Sequence, residues 1–267
     1  MDDAVYLYCF ANEKLLPRLE GTGIDGEKPL FSFVYHEVAA VLSAVSAKEF
    51  CGPEAEARLR DLAWIGPRAC IHQEVIARVM RSSPALPARF GTIFCSLESL
   101  EDRLRTHYSS IVNFLDRMVG KEEWGVKVMW DRFKAREALY SEIVSREAGK
   151  LSQFPGTRYF QEQKLRLEVE KKLHNWLKVT CDRVAQGLDE FVSETDSRKV
   201  LPGRLTEDNR EMFCNWGVLI SRMDMPKLQE YISMVNDRFA SWGLVFELSG
   251  PWPPYSFCPL LDAEASD

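Results

Sequence analysis

The sequence lacks the motifs that usually mark a catalytic or metal site. Its four histidines are isolated and its seven cysteines include no C-x-x-C pair, so we predict neither a bound metal nor a disulfide framework. The phosphate loop G-x-x-x-x-G-K-[S/T] and the G-x-S-x-G nucleophile elbow are absent. Gly21, Gly23 and Gly26 have the spacing G-x-G-x-x-G, but a strand-like run and not a helix follows them, so they do not predict a dinucleotide-binding loop. We therefore predict a protein without a cofactor and without enzymatic activity.

Long apolar runs and an excess of positive charge are also missing. No stretch approaches the ~20 apolar residues of a membrane span, and the first residues lack the basic region of a secretory signal. A formal charge of −6 argues against a general nucleic-acid binder, which needs clustered Lys and Arg. These absences, with 46% hydrophobic residues, predict a globular cytoplasmic protein with reduced thiols.

Proline and aromatic residues are concentrated near the end of the chain, in Gly250-Pro251-Trp252-Pro253-Pro254-Tyr255-Ser256-Phe257. Because proline fixes φ and lacks an amide hydrogen, we expect this segment to leave the preceding strand and to run extended. Its three aromatic side chains either pack back onto the preceding domain or contact a partner chain. We expect Trp252 and Tyr255 to be mainly structural.

The first half of the chain predicts a mixed α+β domain over residues 1–131. Val5–Phe10 is apolar on both faces, as in a central strand, and the runs 30–35 and 38–45 predict a hairpin around His36-Glu37. A helical pattern over 54–81 is interrupted at Gly66-Pro67, which predicts one kinked helix or two short ones. Residues 86–94 predict one strand that begins with a proline. Within it, Arg89 is predicted to bind an anion or to form a structural salt bridge.

Two further elements complete this half. Ser96 or Ser99 is positioned to cap a helix that ends at Gly120. The run 123–130 alternates with Trp124, Val126, Val128 and Trp130 on one face, which predicts a half-exposed edge or end strand.

The second half, residues 132–267, predicts a helical and ferredoxin-like domain that ends in the aromatic and proline tail. Its longest helical pattern covers 157–192. Strand-like runs at 212–220 and 244–249 flank a helix at 226–242, which predicts a βαβ unit with parallel strands. The fold class is therefore α+β, with an N-terminal sheet domain and a C-terminal ferredoxin-like domain carrying a long added helix.

Three segments together resemble the gas vesicle GvpL/GvpF family: residues 86–94, residues 123–128 and residues 250–257. The resemblance covers nearly the whole chain and does not separate a GvpF-like from a GvpL-like member. It implies an accessory protein of gas vesicle formation, without a cofactor, that binds the small hydrophobic shell protein or other accessory proteins. Such a protein is either an assembly or nucleation factor or a minor component of the vesicle.

Candidate partner-binding residues come from the predicted edge strand and the tail: Trp124, Val126, Trp130, Trp252, Tyr255 and Phe257. A second set carries the resemblance and is expected to be structural: Arg89, Phe90, Gly91, Gly250, Pro251, Pro253 and Pro254. The alternative function is a small-molecule enzyme of α+β fold, with a pocket lined by Arg89.

Overall fold

The computed structural model describes residues 3–50, 58, 60–200 and 210–261. Their contacts form two compact units, one within 1–122 and 252–267 and the other within 123–251. The predicted domains, 1–131 and 132–267, differ from these units at both ends. The strand around 123–130 packs in the second unit, and the tail after Pro251 packs in the first.

The first unit contains an antiparallel sheet. Its strands are β1 (Asp3–Asn12), β2 (Leu30–Tyr35), β3 (Val38–Ser46), β4 (Ala85–Pro87) and β5 (Ile93–Phe94). The order is β2-β3-β1-β4, with β5 also paired to β1. The central position predicted for β1 is confirmed, and so is the hairpin, whose closing pair is Tyr35 with Val38.

The segment 86–94 differs from the single strand that the sequence predicts. Strands β4 and β5 are separated by a turn in which Gly91 has φ +86° and the Thr92 amide donates to the Arg89 carbonyl at 3.1 Å. A positive φ suits glycine and does not occur within a regular strand. The glycine therefore marks a turn that divides the predicted strand in two.

Helices α1 (Ala47–Phe50), α2 (Leu62–Met80) and α3 (Leu97–Met118) belong to the same unit. Helix α2 continues through Gly66-Pro67, so a single helix forms here and not two short ones. Part of the predicted helix at 54–61 lies outside the described residues. Ser96 and Ser99 form a reciprocal capping box at the start of α3, so both predicted capping residues are used.

The second unit contains β6 (Lys121–Trp130), α4 (Arg132–Glu147), α5 (Pro155–Leu188), β7 (Glu194–Ser197), β8 (Glu211–Ser221), α6 (Met225–Phe239) and β9 (Leu244–Trp252). The strands form an antiparallel sheet in the order β7-β8-β6-β9. Strands β8 and β9 both run antiparallel to β6, so they are parallel to each other. The predicted βαβ unit is confirmed in its split, ferredoxin-like form.

Strand β6 lies inside this sheet, between β8 and β9, so the predicted edge position is wrong. The alternation of its side chains is correct, because Val126, Val128 and Trp130 all enter the core of the unit. The opposite face is also covered at Glu123, which is buried and paired with Arg198. The charged residues on this face predicted that it is exposed to solvent. The Glu123 carboxylate is instead buried, and its ion pair with Arg198 compensates for the loss of water.

The long helix α5 covers 34 residues, or roughly 51 Å at ~1.5 Å per residue. From its middle to its end, Val169, Leu173, Leu177, Val184 and Leu188 are buried in the core, as the predicted stripe requires. The first three turns bury no side chain, although they include Tyr159 and Phe160.

Candidate functional site

The aromatic and proline segment is held against the first unit by backbone and side-chain hydrogen bonds. Strand β9 continues to Trp252, and Tyr255–Phe257 then forms a turn of 3-10 helix, so the segment is not extended throughout. Arg117 donates to the Phe257 carbonyl oxygen at 2.6 Å and Arg103 to that of Leu261 at 2.7 Å. The tail thus packs back on a domain, and that domain is the first unit.

His72 of α2 connects this tail to β1 and to the turn after β4. Its Nε2 lies 3.2 Å from the Ala88 carbonyl oxygen and 3.2 Å from the Tyr255 hydroxyl, and its Nδ1 lies 2.9 Å from the Tyr6 hydroxyl. A carbonyl oxygen only accepts, so we assign the proton to Nε2. Nδ1 then accepts from Tyr6, whose oxygen accepts the Gly91 amide at 3.0 Å.

Aromatic rings close around this histidine. The His72 ring stacks on Tyr8 with centroids 5.7 Å apart and meets Phe90 edge to face at 5.8 Å. The Tyr8 hydroxyl bonds to Ser43 at 3.0 Å and accepts the Ile24 amide at 2.7 Å. We call His72, Tyr6, Tyr8, Phe90 and Tyr255 the His72 cluster.

The cluster is electrically neutral at ordinary pH. Burial lowers the pKa of His72, an effect partly opposed by its hydrogen bond to Ala88, and burial raises the pKa of Tyr8 to about 12. Burial also raises the pKa of Tyr6 and of Tyr255. Every polar atom of His72 has a partner within the fold, so the cluster acts as a structural anchor for the tail.

The cluster explains several residues that carry the resemblance. Phe90 and Gly91 contact or bond to its members, and the buried prolines 253 and 254 lead the chain to Tyr255. In the sequence, His72 is an isolated histidine. Its partners are 66 and 183 residues away along the chain, so no local spacing reveals them.

Arg89 is the exception among these signature residues. Its side chain is exposed and forms no ion pair with the described part of the chain, so the predicted salt bridge is absent there. A cleft of about 520 Å³ is present elsewhere, lined by Ser46, Lys48, Glu49, Arg58, Trp64 and Arg68. Arg89 does not line this cleft.

The other two signature segments meet in the second unit. Gly250 has φ +147°, and a Cβ at this position would lie 2.9 Å from the Trp124 ring and 3.2 Å from the Glu123 carbonyl oxygen. The indole of Trp124 therefore packs where any larger residue would clash. Pro251, which follows a cis Gly250-Pro251 bond, is exposed.

The six candidate partner-binding residues fall into two groups. Val126, Trp130 and Phe257 are buried and Trp124 is half-buried against the core. Trp252 and Tyr255 are 44% and 40% exposed. Only these last two present substantial surface to a partner.

Metal and membrane sites receive no support from the residues that the structure describes. Across these ranges, no group of three or more His, Cys, Asp and Glu side chains is arranged to hold a metal ion. Nor does any helix in the described ranges have the length and apolar character needed to cross a membrane.

Comparison with known proteins gives a consistent result along the chain. Residues 4–259 match the family described as "Gas vesicle synthesis protein GvpL/GvpF". Gas vesicle protein L of a Streptomyces species is 27% identical over 100% of this chain and 97% of its own length. Gas vesicle protein L2 of Halobacterium salinarum is 24% identical over 97% of this chain and 92% of its own length.

Solved structures show the same fold. GvpF from Anabaena sp. PCC7120 aligns with a TM-score of 0.66 at 16% identity, covering 97% of both chains. GvpF from Microcystis aeruginosa aligns with a TM-score of 0.67 at 18% identity, covering 96% of this chain and 99% of the other.

Proposed function

Since this chain belongs to the gas vesicle synthesis protein GvpL/GvpF family, we propose that it binds the hydrophobic shell protein and supports vesicle assembly or nucleation. A shell subunit that is not yet polymerised exposes apolar surface and strand edges, which aggregate unless they are masked. The accessory protein masks or orients such a subunit in the cytoplasm. Vesicle association follows from the family, and the shell protein as partner is the step that we add.

The observation that carries this proposal is the open edge of β2 in the first unit. Strand β2 is the outermost strand of its sheet, and its sequence, Leu-Phe-Ser-Phe-Val-Tyr, contains no charged residue and no proline. Val34 is 47% exposed on this strand. An uncharged, apolar edge of this kind accepts an additional strand from a partner.

The pairing register shows which backbone groups remain open. Tyr35 and Val38 close a two-residue turn, so the backbone amides and carbonyls of the odd-numbered residues of β2 bond to β3. The backbone amides and carbonyls of the even-numbered residues point away from β3. The Leu30 amide already donates to the Gly21 carbonyl oxygen at 3.2 Å. The amides and carbonyls of Ser32 and Val34 have no such bond to the described chain, and they are available to a shell-protein strand.

The other sheet edges are protected in the usual ways. Strand β4 is three residues long and ends in Pro87. In the second unit, β7 carries Glu194 and Asp196, and β9 carries Glu247 and Pro251. Charge, proline and short length all discourage edge pairing, so β2 is the edge best suited to a partner.

Trp252 and Tyr255 provide a second possible contact in the same unit. Both rings are partly exposed, and exposed aromatic side chains are common at protein interfaces. The hydroxyl of Tyr255 bonds to His72, so this residue is anchored whether or not a partner is bound. We assign the tail a secondary role in binding.

Dilution of denatured shell protein into buffer, followed by light scattering, tests the proposal. The purified chain is expected to delay aggregation in proportion to its concentration and to co-elute with the shell protein. An unrelated globular protein of similar charge serves as the control. Aggregation that proceeds at the same rate in both samples, without co-elution, would contradict the proposal.

Washing purified vesicles separates the two roles that remain. Retention of this chain after washes that remove loosely bound proteins indicates a minor vesicle component. Complete loss, together with delayed shell-protein aggregation in solution, indicates an assembly or nucleation factor.

A further inference from the structure

One side of α5 carries an exposed stripe that the fold does not use. Phe160, Lys164, Leu167, Lys171 and Lys178 follow one another at helical spacings of four, three, four and seven residues. Phe160 is 74% exposed and Leu167 is 67% exposed. We call these five residues the α5 stripe.

The acidic and basic side chains of this helix differ in how many of them form ion pairs. Three of its four acidic side chains are paired: Glu162 with Arg158, Glu168 with Lys172 and Glu170 with Arg132. The three stripe lysines form no ion pair with any residue that the structure describes. In a chain with net charge −6, three unpaired cations on one line form a distinct local surface.

We propose that the α5 stripe docks an acidic amphipathic helix of a partner protein. Phe160 and Leu167 are seven residues apart, or one heptad, so they present one apolar contact per two turns on the same side of the helix. The lysines flank these positions and complement carboxylates on the partner. The stripe runs from Phe160 to Lys178, a rise of roughly 27 Å along the helix, which matches a partner helix of about five turns.

Packing of the helix on the core fixes the position of the α5 stripe. The opposite side of α5 is buried through Val169, Leu173 and Leu177, so the helix is fixed in place. On the line of the stripe, His174 contacts the ring of Phe213 with centroids 5.3 Å apart. The stripe lies in the second unit, and the proposal does not depend on shell-protein binding at β2.

An anionic lipid surface is less well matched to the same residues. Membrane-surface helices present a wide apolar face with a strongly basic polar face. The stripe offers two apolar side chains among five, and the chain as a whole is repelled by anionic lipid because its net charge is −6. A narrow stripe that combines apolar and basic side chains is better suited to a partner helix than to a lipid surface.

Fluorescence anisotropy with a designed probe tests this proposal on the full chain. The probe is a labelled 21-residue helical peptide with leucine at heptad positions a and d and glutamate at e and g. A second peptide carries lysine in place of each glutamate. The chain is expected to bind the acidic peptide, more weakly at high salt, and to ignore the basic one.

Charge reversal identifies the surface that binds. The variant Lys164→Glu/Lys171→Glu/Lys178→Glu is expected to bind the acidic peptide about tenfold more weakly or worse, and to gain affinity for the basic peptide. The control Lys14→Glu/Lys150→Glu/Lys227→Glu changes net charge equally at other exposed sites and is expected to retain binding.

Three results would overturn the proposal. The acidic peptide fails to bind, or the control variant loses binding as strongly as the stripe variant. In the third, the chain binds phosphatidylcholine and phosphatidylglycerol vesicles in preference to the peptide, and the stripe variant abolishes that binding, which assigns the stripe to lipid. Shell-protein binding by the stripe variant is measured in parallel and is expected to be unchanged.

Discussion

A single buried histidine connects parts of the first unit that are far apart in sequence. His72 bonds to Tyr6 of β1, to the backbone of Ala88 and to Tyr255 of the tail. Each bond satisfies a polar group that would be costly to bury alone. At the scale of residues, the chain therefore uses its aromatic and histidine side chains to fix the tail.

Removal of the Tyr6 hydroxyl tests this network most severely. In Tyr6→Phe, the Gly91 amide and His72 Nδ1 both lose their partner inside the fold, so we expect a loss of about 2–4 kcal/mol in the free energy of unfolding. In Tyr255→Phe, Nε2 keeps its bond to Ala88, so a loss of ~1 kcal/mol or less is expected. Urea unfolding of both variants measures the difference, and equal losses would contradict the assigned network.

The neutral state of His72 predicts a pH dependence. Burial lowers its pKa in the folded state, so the unfolded chain binds more protons near and below pH ~6.5. Stability from this group is present above that pH and is lost as the pH falls toward the folded-state pKa. The wild type is expected to lose more stability than His72→Gln between neutral and mildly acidic pH.

Thermal unfolding at several pH values measures this effect. Identical pH profiles for wild type and His72→Gln would show that His72 does not titrate differently on folding.

At the scale of elements, β6 and β9 pack closely because residue 250 is a glycine. The backbone of Gly250 lies against the Trp124 ring, in a conformation that L residues rarely adopt. This contact joins the second and third segments of the family resemblance. The requirement for glycine there is steric.

The variant Gly250→Ala is expected to destabilise the second unit by about 1–3 kcal/mol, because the new methyl group meets the Trp124 ring and the strained φ becomes costly. Gly149→Ala is the matched control, since a Cβ there meets nothing within 4 Å. Tryptophan fluorescence during unfolding reports the change. A stable Gly250→Ala variant with unchanged emission would refute this packing.

Elements with a local signature were predictable from sequence. The capping serines of α3 and the apolar alternation of β6 depend on neighbours a few residues away, and both were correct. The edge position of β6 was not, because strand order depends on pairing with β8 and β9, which follow much later. The local sequence pattern shows which face of a strand is apolar. What covers the other face depends on pairing with strands that are distant in the sequence.

On the scale of the whole molecule, the sequence resemblance gave the family correctly, while the domain boundary shifted. Residues 123–130 and the tail exchange units relative to the linear division of the chain at 131. The order of elements cannot show this, since the tail returns to the first unit through the long-range bonds of Tyr255, Phe257 and Leu261. The surface that we propose for binding is the edge of β2 and not β6, because β6 lies between β8 and β9 in its sheet.

We propose that the open edge of β2 receives the shell protein, and a proline at Val34 tests this proposal most directly. Val34→Pro removes an outward amide that is not bonded to β3, whereas Val34→Thr retains it. With folding of both variants verified by circular dichroism, we predict that Val34→Pro loses shell-protein binding and Val34→Thr keeps it. Equal binding by the two variants would contradict pairing at this edge.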